Sequence, residues 1–191
     1  VVYTPLVSDL YSSPVKSEVF DLDGIDKIIE GEFRKGHFQG VATVVKRLFK
    51  KFSPDYAFFG EKDYQQIKVI EKLIEKHNLK VKIKSILTVR DENGLAMSSR
   101  NFLLDRETRD EARIIYESLC MAKKMIKTND ISKIKFFIGE LFLMNKKFDL
   151  EYFCIAENSS LKEVKSFNSK LELRAFICVK AKGIRLIDNI A

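Results

Sequence analysis

Residues 56–87 constrain the fold class more than any other stretch. Tyr56-Ala57-Phe58-Phe59 is a short, β-rich apolar run, Gly60 ends it, and Ile67, Ile70, Leu73 and Ile74 then recur at helical spacing. Asn78 reads as a helix C-cap, and Lys80 to Leu87 alternates lysine with Val and Ile, the pattern of a half-buried strand. Strand, helix and strand joined in this way form a βαβ unit, whose crossover makes the two strands parallel. Open α/β sheets bind ligands at such strand-to-helix crossings, beyond the carboxyl ends of the strands. Here the crossing is Gly60-Glu61-Lys62-Asp63-Tyr64-Gln65-Gln66. Gly60 lets a backbone approach a ligand closely, and Lys62 offers a flexible point charge suited to phosphate. Asp63 is placed to cap the helix, with Gln66 about one turn further along the same face. By chemistry alone the segment is equally an ordinary βα turn with surface charges, because one Gly and one Lys make no phosphate-loop motif.

The flanking residues extend this reading. Val1-Val2-Tyr3 resembles the end of a buried strand, broken by Thr4-Pro5. Residues 17–22 alternate weakly as a strand would, Asp23-Gly24 is a turn, and Ile25 to Phe33 a short helix. Val41, Val44, Val45, Leu48, Phe49 and Phe52 form an apolar stripe that predicts a helix over 39–52, ended by Pro54. Beyond the second strand lies Val89-Arg90-Asp91-Glu92-Asn93-Gly94-Leu95-Ala96-Met97-Ser98-Ser99-Arg100-Asn101. Asn93-Gly94 is a turn signal, and a domain boundary is expected beside it, with 1–95 on one side and 96–191 on the other. Two adjacent hydroxyls and an Arg after a turn can donate several hydrogen bonds to phosphate oxygens. A polar loop ending in Asn is the plainer account. The remainder reads as one long helix from Asp105 to Lys127, a second from Ile131 to Asn145, and strands over 148–156, 171–180 and 184–190. Two helices on a small antiparallel sheet make an α+β module.

Composition excludes little but orders the choices. Of 191 residues, 46% are hydrophobic and 32% charged, enough apolar content to bury a core and too little charge bias for a disordered chain. No apolar run is long enough to span a bilayer. Cys120, Cys154 and Cys178 have no metal-ligand spacing and sit in apolar or periodic segments, which favours buried free thiols and a cytoplasmic setting. The net charge of +7 admits an anionic partner, but the lysines are spread along helix faces rather than gathered in one arm.

The two polar stretches together carry a more specific signal. Gly60-Glu61-Lys62-Asp63-Tyr64-Gln65-Gln66 followed by Asp91 to Asn101, with its Gly-Leu-Ala-Met-Ser-Ser-Arg-Asn, closely resembles the pantothenate synthetase (pantoate–β-alanine ligase) family. Gly31 to Gly40, with Arg34 and Gly36-His37-Phe38, and the ending Arg185-Leu186-Ile187-Asp188-Asn189 resemble it too. The resemblance implies a Rossmann-like α/β nucleotide-binding domain, incomplete here, followed by a smaller α+β domain. It implies ATP with magnesium, and a reaction in which the pantoate carboxylate attacks the α-phosphorus of ATP before the β-alanine amine displaces AMP. Gly60, Glu61, Lys62 and Asp63 would line the ATP site, as would Met97, Ser98, Ser99 and Arg100; Lys62, Ser98 and Arg100 would carry the catalysis. Val89 would contact adenine through its backbone, and Gln66 would bind pantoate. The family is usually a homodimer in the cytoplasm, with no nucleic-acid or membrane partner.

Two departures stand out. Lys35 replaces the proline of the family's Arg-Pro-Gly-His-Phe turn, and His37 reads better as a structural histidine. The family's N-terminal Met-Gly-x-Leu-His-x-Gly-His motif has no counterpart, the histidines here being His37 and His77. The chain is therefore expected to be a C-terminal portion of the enzyme, with apolar sheet surface uncovered. A non-catalytic ATP-binding fragment and a basic nucleic-acid-binding domain remain as alternatives.

Overall fold

In the computed structural model, residues 1–11, 18–127, 130–168 and 170–191 are described. They form two compact units: Val1–Phe59 with Gln65–Ile86, and Gly60–Tyr64 with Leu87–Ala191. The first turn of the central motif therefore belongs with the C-terminal half of the chain.

The first unit contains α1 (Val7–Leu10), α2 (Glu30–Phe33), α3 (His37–Phe52), β1 (Tyr56–Gly60), α4 (Tyr64–His77) and β2 (Lys82–Ile86). The terminal residues of β1 and α4 nearest the motif are shared with the second unit. β1 and β2 pair in parallel, joined by α4, as the periodicity predicts. The core is Phe38, Ala42, Val45 and Phe49 of α3 against Val69, Ile70 and Leu73 of α4, with Phe20, Leu22 and Val81. Tyr56, Phe58 and Ile86 stand exposed on the two strands. α4 ends where expected: Asn78 takes a left-handed φ of 50°, and the amide of Leu79 reaches back to Ile74 O at 3.0 Å. His77, the last residue of α4, lies edge-on to Phe20 with ring centroids 5.4 Å apart.

Two local expectations are corrected. The strand expected over 17–22 does not form at residues 18–22, and Ser17 lies outside the described residues. A helix supplies the missing strand partner through its side chains. Gln39 accepts from Phe20 N at 2.7 Å and donates to Phe20 O at 3.0 Å, while Thr43 accepts from Glu18 N at 2.9 Å. The helix expected over 25–33 is also interrupted, into a tight turn at Ile25–Lys27 and α2, because Ile29 takes a φ of 49°. Gln65 holds this break together. Its side chain accepts from Glu30 N at 3.0 Å and donates to Ile25 O at 2.8 Å and Ile28 O at 2.7 Å, in a site where it is 4% exposed.

The second unit contains α5 (Arg106–Glu111), α6 (Arg113–Met125) and α7 (Ile131–Leu143), then β3 (Phe148–Glu157), β4 (Leu173–Ala181) and β5 (Ile184–Ile190). The three strands are antiparallel in the order β3-β4-β5. Asp105 caps as expected, accepting from Thr108 N at 2.9 Å, but the single helix expected over 105–127 is broken at Ala112. There the amide is shared between Thr108 O and Arg109 O, which lets the chain change direction without losing a bond. Ile115 and Leu119 of α6 and Ile134, Ile138 and Phe142 of α7 pack on Phe153, Ile155, Ile177, Val179 and Leu186, one face of the sheet. A two-residue turn joins β4 to β5, with Lys182 at φ 51° and Gly183 at φ 79°. Two consecutive positive φ values match the right-handed twist of a tight hairpin. Cys154 and Cys178 lie in this sheet, and burial pushes the Cys154 thiol up to about 12, so it stays protonated.

Two measurements check this account. Gln65→Leu removes the partner of the buried Glu30 N and the side-chain donors to Ile25 O and Ile28 O, the last of which keeps Gly31 N, and should cost about 2–4 kcal/mol in denaturant unfolding, whereas Gln66→Leu should cost little. The second concerns Glu151 in β3. Burial works against its charge, but hydrogen bonds from Arg185, Lys180 and Cys178 more than offset this and hold the carboxyl down at about 2. Glu151 thus contributes stability that is present above its unfolded value of 4.5 and is lost as pH falls from there through about 2. Glu151→Gln should flatten the loss of stability over that window in acid titrations of the unfolding free energy.

Candidate functional site

All but one of the candidate residues fall in the second unit, where its three stretches meet: 60–64, 89–101 and the end of β5. Gly60 leads into a tight helical turn, Glu61–Asp63, before α4 begins at Tyr64. Its φ is −73°, and a Cβ built on it meets nothing within 4 Å. Nothing in the protein itself demands glycine there. Asp63, expected to cap α4, occupies the last position of the tight turn, with its carboxylate 3.6 Å from Lys62 Nζ. The Lys62 side chain is only 15% exposed.

The second stretch is a small hairpin. Arg90 and Ala96 form an antiparallel bridge, Met97 N donates to Val89 O at 2.9 Å, and Asp91 Oδ1 accepts from Asn93 N and Leu95 N at 3.0 Å each. These bonds, with Gly94 N donating to Asp91 O at 2.9 Å, fold residues 91–94 into a turn where Asn93-Gly94 signals one. The hairpin delivers Ser98, whose Oγ accepts from Arg100 N at 3.2 Å and caps the turn Ser99–Leu103. Ser99 and Arg100 are exposed, as is Met97. The Val89 side chain is 62% exposed. Lys62, Ser98, Arg100, Arg185 and Asp188 line one small cleft. With Arg185 paired to Glu151 and Asp188 to Arg90, Lys62 and Arg100 are the lining cations that suit an anion with several oxygens.

Sequence reasoning gave no role to the residues that hold these two stretches in place. In β5, Asp188 and Asn189 are adjacent, so they project from opposite faces of the sheet. Asp188 takes Arg90 at the base of the hairpin in a two-pronged pair, NH1 to Oδ2 at 2.5 Å and NH2 to Oδ1 at 3.0 Å. Arg90 also donates to Gly94 O at 3.0 Å and lies flat over Tyr116, 3.8 Å from the ring centre. Asp188 is 3% exposed, and burial raises its carboxyl above the ordinary value against the opposing pull of Arg90 and Lys62. On the other face, Asn189 Nδ2 donates to Glu61 O at 2.8 Å and to Lys62 O at 2.9 Å. The available signal was a break in pattern: two polar residues side by side in the otherwise apolar run Leu186-Ile187-x-x-Ile190.

Asn101 was also passed over. It is 4% exposed, donates to Ala96 O at 3.1 Å and lines the same cleft. Its Oδ1 has no hydrogen-bond partner among the described residues. One candidate, with two further residues of the resemblance, lies elsewhere. Gln66 is half-buried on α4 in the first unit, as are Arg34 and His37, whose NH1 and Nε2 are 2.9 Å apart. Among the described residues the carboxylates of the second-unit site are already engaged: Asp188 by Arg90, Glu61 by Arg174 at 3.4 Å and Asp63 by Lys62. No carboxylate set for magnesium is built there, so a cation arriving with a nucleotide would keep phosphate and water ligands.

Gly94 tests how tightly the hairpin is fitted. Its φ is +88°, and a Cβ would meet Tyr116 Cδ1 at 2.7 Å. Gly94→Ala should lower stability by about 2 kcal/mol or more in chemical denaturation and displace the ring on which Arg90 lies.

Comparison with known proteins identifies the family. A family model for pantoate-beta-alanine ligase matches residues 1–191. The pantothenate synthetase of Christiangramia forsetii is 45% identical over 190 residues, covering 100% of this chain and 67% of that protein. That of Flavobacterium psychrophilum is 40% identical, covering 100% and 68%. The crystal structure of pantothenate synthetase from Thermus thermophilus superposes with a TM-score of 0.87 at 32% identity, over 97% of this chain and 67% of that one. A pantoate-beta-alanine ligase from Francisella tularensis, complexed with beta-gamma ATP and beta-alanine, matches with a TM-score of 0.64 at 28% identity, over 92% and 57%. The chain thus spans about two thirds of the length of the curated relatives it matches. It belongs to the pantoate-beta-alanine ligase family.

Proposed function

We propose that residues lining the second-unit cleft, whose interior has room for no more than about one water, meet the triphosphate in the ATP-dependent condensation of pantoate with β-alanine. The observation that supports this most is the meeting of Lys62, Ser98 and Arg100 around one cleft, from segments 36 residues apart in sequence. Lys62 and Arg100 would neutralise the phosphates, and Ser98 and Ser99 would donate hydrogen bonds to their oxygens. Glycine at position 60 is then explained by a ligand passing close to the backbone, since the protein leaves that space open. Asp63, Met97 and the backbone at Val89 would border the nucleoside.

The chemistry asks for positioning and fixed charge rather than a covalent nucleophile. Pantoate's carboxylate oxygen bonds to the α-phosphorus as the bond to pyrophosphate breaks, giving pantoyl adenylate. The β-alanine nitrogen then bonds to the acyl carbon, AMP leaves with the electron pair, and the amine loses a proton. Lys62, Ser98 and Arg100 act in the first step, where charge gathers on the departing pyrophosphate. Magnesium would supply further charge neutralisation on the phosphates. Gln66, at the start of α4, is proposed as a pantoate contact. Residues 1–95 and 96–191 are read as nucleotide-binding and smaller C-terminal domains. A homodimer acting in the cytoplasm belongs to the same proposal; no described helix is long and apolar enough to cross a membrane.

AMP release dependent on both pantoate and β-alanine, measured on the protein as its gene encodes it, is the direct test. Lys62→Ala should lower its rate about 100-fold or more, the scale of losing one fixed charge donor in a transition state. An unchanged rate would remove Lys62 from the reaction. ATP binding that depends on Lys62 without any AMP release would instead favour a non-catalytic nucleotide-binding role.

A further inference from the structure

We infer that Asn189 is a positioning residue for Lys62, acting through the backbone; the inference rests on the reading of Lys62 as a phosphate contact. The two carbonyls that Asn189 Nδ2 holds, Glu61 O at 2.8 Å and Lys62 O at 2.9 Å, belong to the peptide planes on either side of the Lys62 Cα. Fixing both planes fixes φ and ψ of Lys62, and so the direction in which its side chain leaves the backbone. A lysine side chain carries several freely rotating bonds, and an anchored root removes part of the space its ammonium would otherwise search.

The carboxamide is itself held in one orientation. Arg174 NH1 donates to Asn189 Oδ1 at 2.5 Å, so the oxygen side is taken and the NH2 group faces the motif. Arg174 is 6% exposed and cannot swing away. Its Nε donates to Asn158 Oδ1 at 2.9 Å, and its guanidinium lies over Tyr64, 3.7 Å from the ring centre. Its NH2 reaches the Glu61 carboxylate at 3.4 Å, and Tyr64 OH donates to Asn158 O at 3.3 Å. Asn158, Arg174, Asn189 and Tyr64 thus close a polar ring around the backbone of residues 61–64, using side-chain bonds where regular secondary structure offers none. Such a network rigidifies what it encloses when its members are paired.

A coupled mutant cycle on the whole protein separates the two roles. Asn189→Ala should lower kcat/KM for ATP in AMP release by about 30-fold when Lys62 is present, and by less than about 3-fold when Lys62 is already Ala, because residues acting through one another are not additive. Equal losses in both backgrounds, or no loss, would overturn the inference and leave Asn189 a structural residue. If Asn189→Ala melts at a temperature too low to assay, Asn189→Asp serves in its place. It keeps the volume and the acceptor for Arg174 while removing the NH2 donors, so the same coupled loss is expected and wild-type kinetics would overturn the inference. Should Lys62→Ala alone leave kcat/KM unchanged, the reading of Lys62 fails and the inference falls with it. A costly Lys62→Ala beside an uncoupled Asn189 rejects only the inference.

Discussion

The bidentate pair between Arg90 and Asp188 is the contact on which the second unit's candidate site depends. It is buried, and a buried ion pair repays its desolvation only when the geometry is good and the remaining polar atoms are satisfied. Both conditions are met: the guanidinium meets both carboxylate oxygens, donates further to Gly94 O and lies on Tyr116, while Asp188 Oδ1 also accepts from Asn189 N at 2.8 Å. The pair ties the hairpin that ends in Ser98 to the last strand of the sheet. One residue further along, Asn189 ties the Gly60–Tyr64 turn to that strand from the other face. Two loops that would otherwise be free to wander are thereby referred to one rigid element.

How far this was legible in the sequence depends on the range of the interaction. Periodicity within 56–87 reports local packing, so β1, α4 and β2 were readable from it. The same holds for β3 to β5 and for the cap at Asp105. The interrupted elements were not readable in that way. The break at Ala112 sits inside an unbroken apolar stripe, and the turn at Ile29 depends on Gln65, thirty-six residues away in sequence. Residues 18–22 alternate like a strand yet are served by the side chains of Gln39 and Thr43, a pairing that leaves no periodic trace.

Site residues divide along the same line. Lys62, Ser98 and Arg100 could be put forward from the sequence because they lie in segments that resemble the family and because a cation or hydroxyl in a turn suits a phosphate. Asn189, Arg174 and Asn101 act on other protein groups, so although Asn101 and Asn189 fall within stretches that resemble the family, their residue types point to no ligand role. Gln65 and Gln66 make the point within two positions. Their side chains are chemically identical, but one is consumed by three backbone bonds in the first unit and the other keeps its amide half-buried.

The hairpin turn at Lys182-Gly183 gives this arrangement an unexpected point of control. Its two positive φ values set which residues of β5 face which residues of β4, placing Asn189 opposite Phe176 and Asp188 opposite Ile177. A strand shifted by a single residue exchanges its two faces. A one-residue insertion in that turn would carry the Asp188 carboxylate to the carbonyls of Glu61 and Lys62, which it can only repel, and would put Ile187 where Asp188 meets Arg90, leaving the guanidinium without its partner. Both loops would lose their anchors at once, through a lesion in a solvent-facing bend that touches neither.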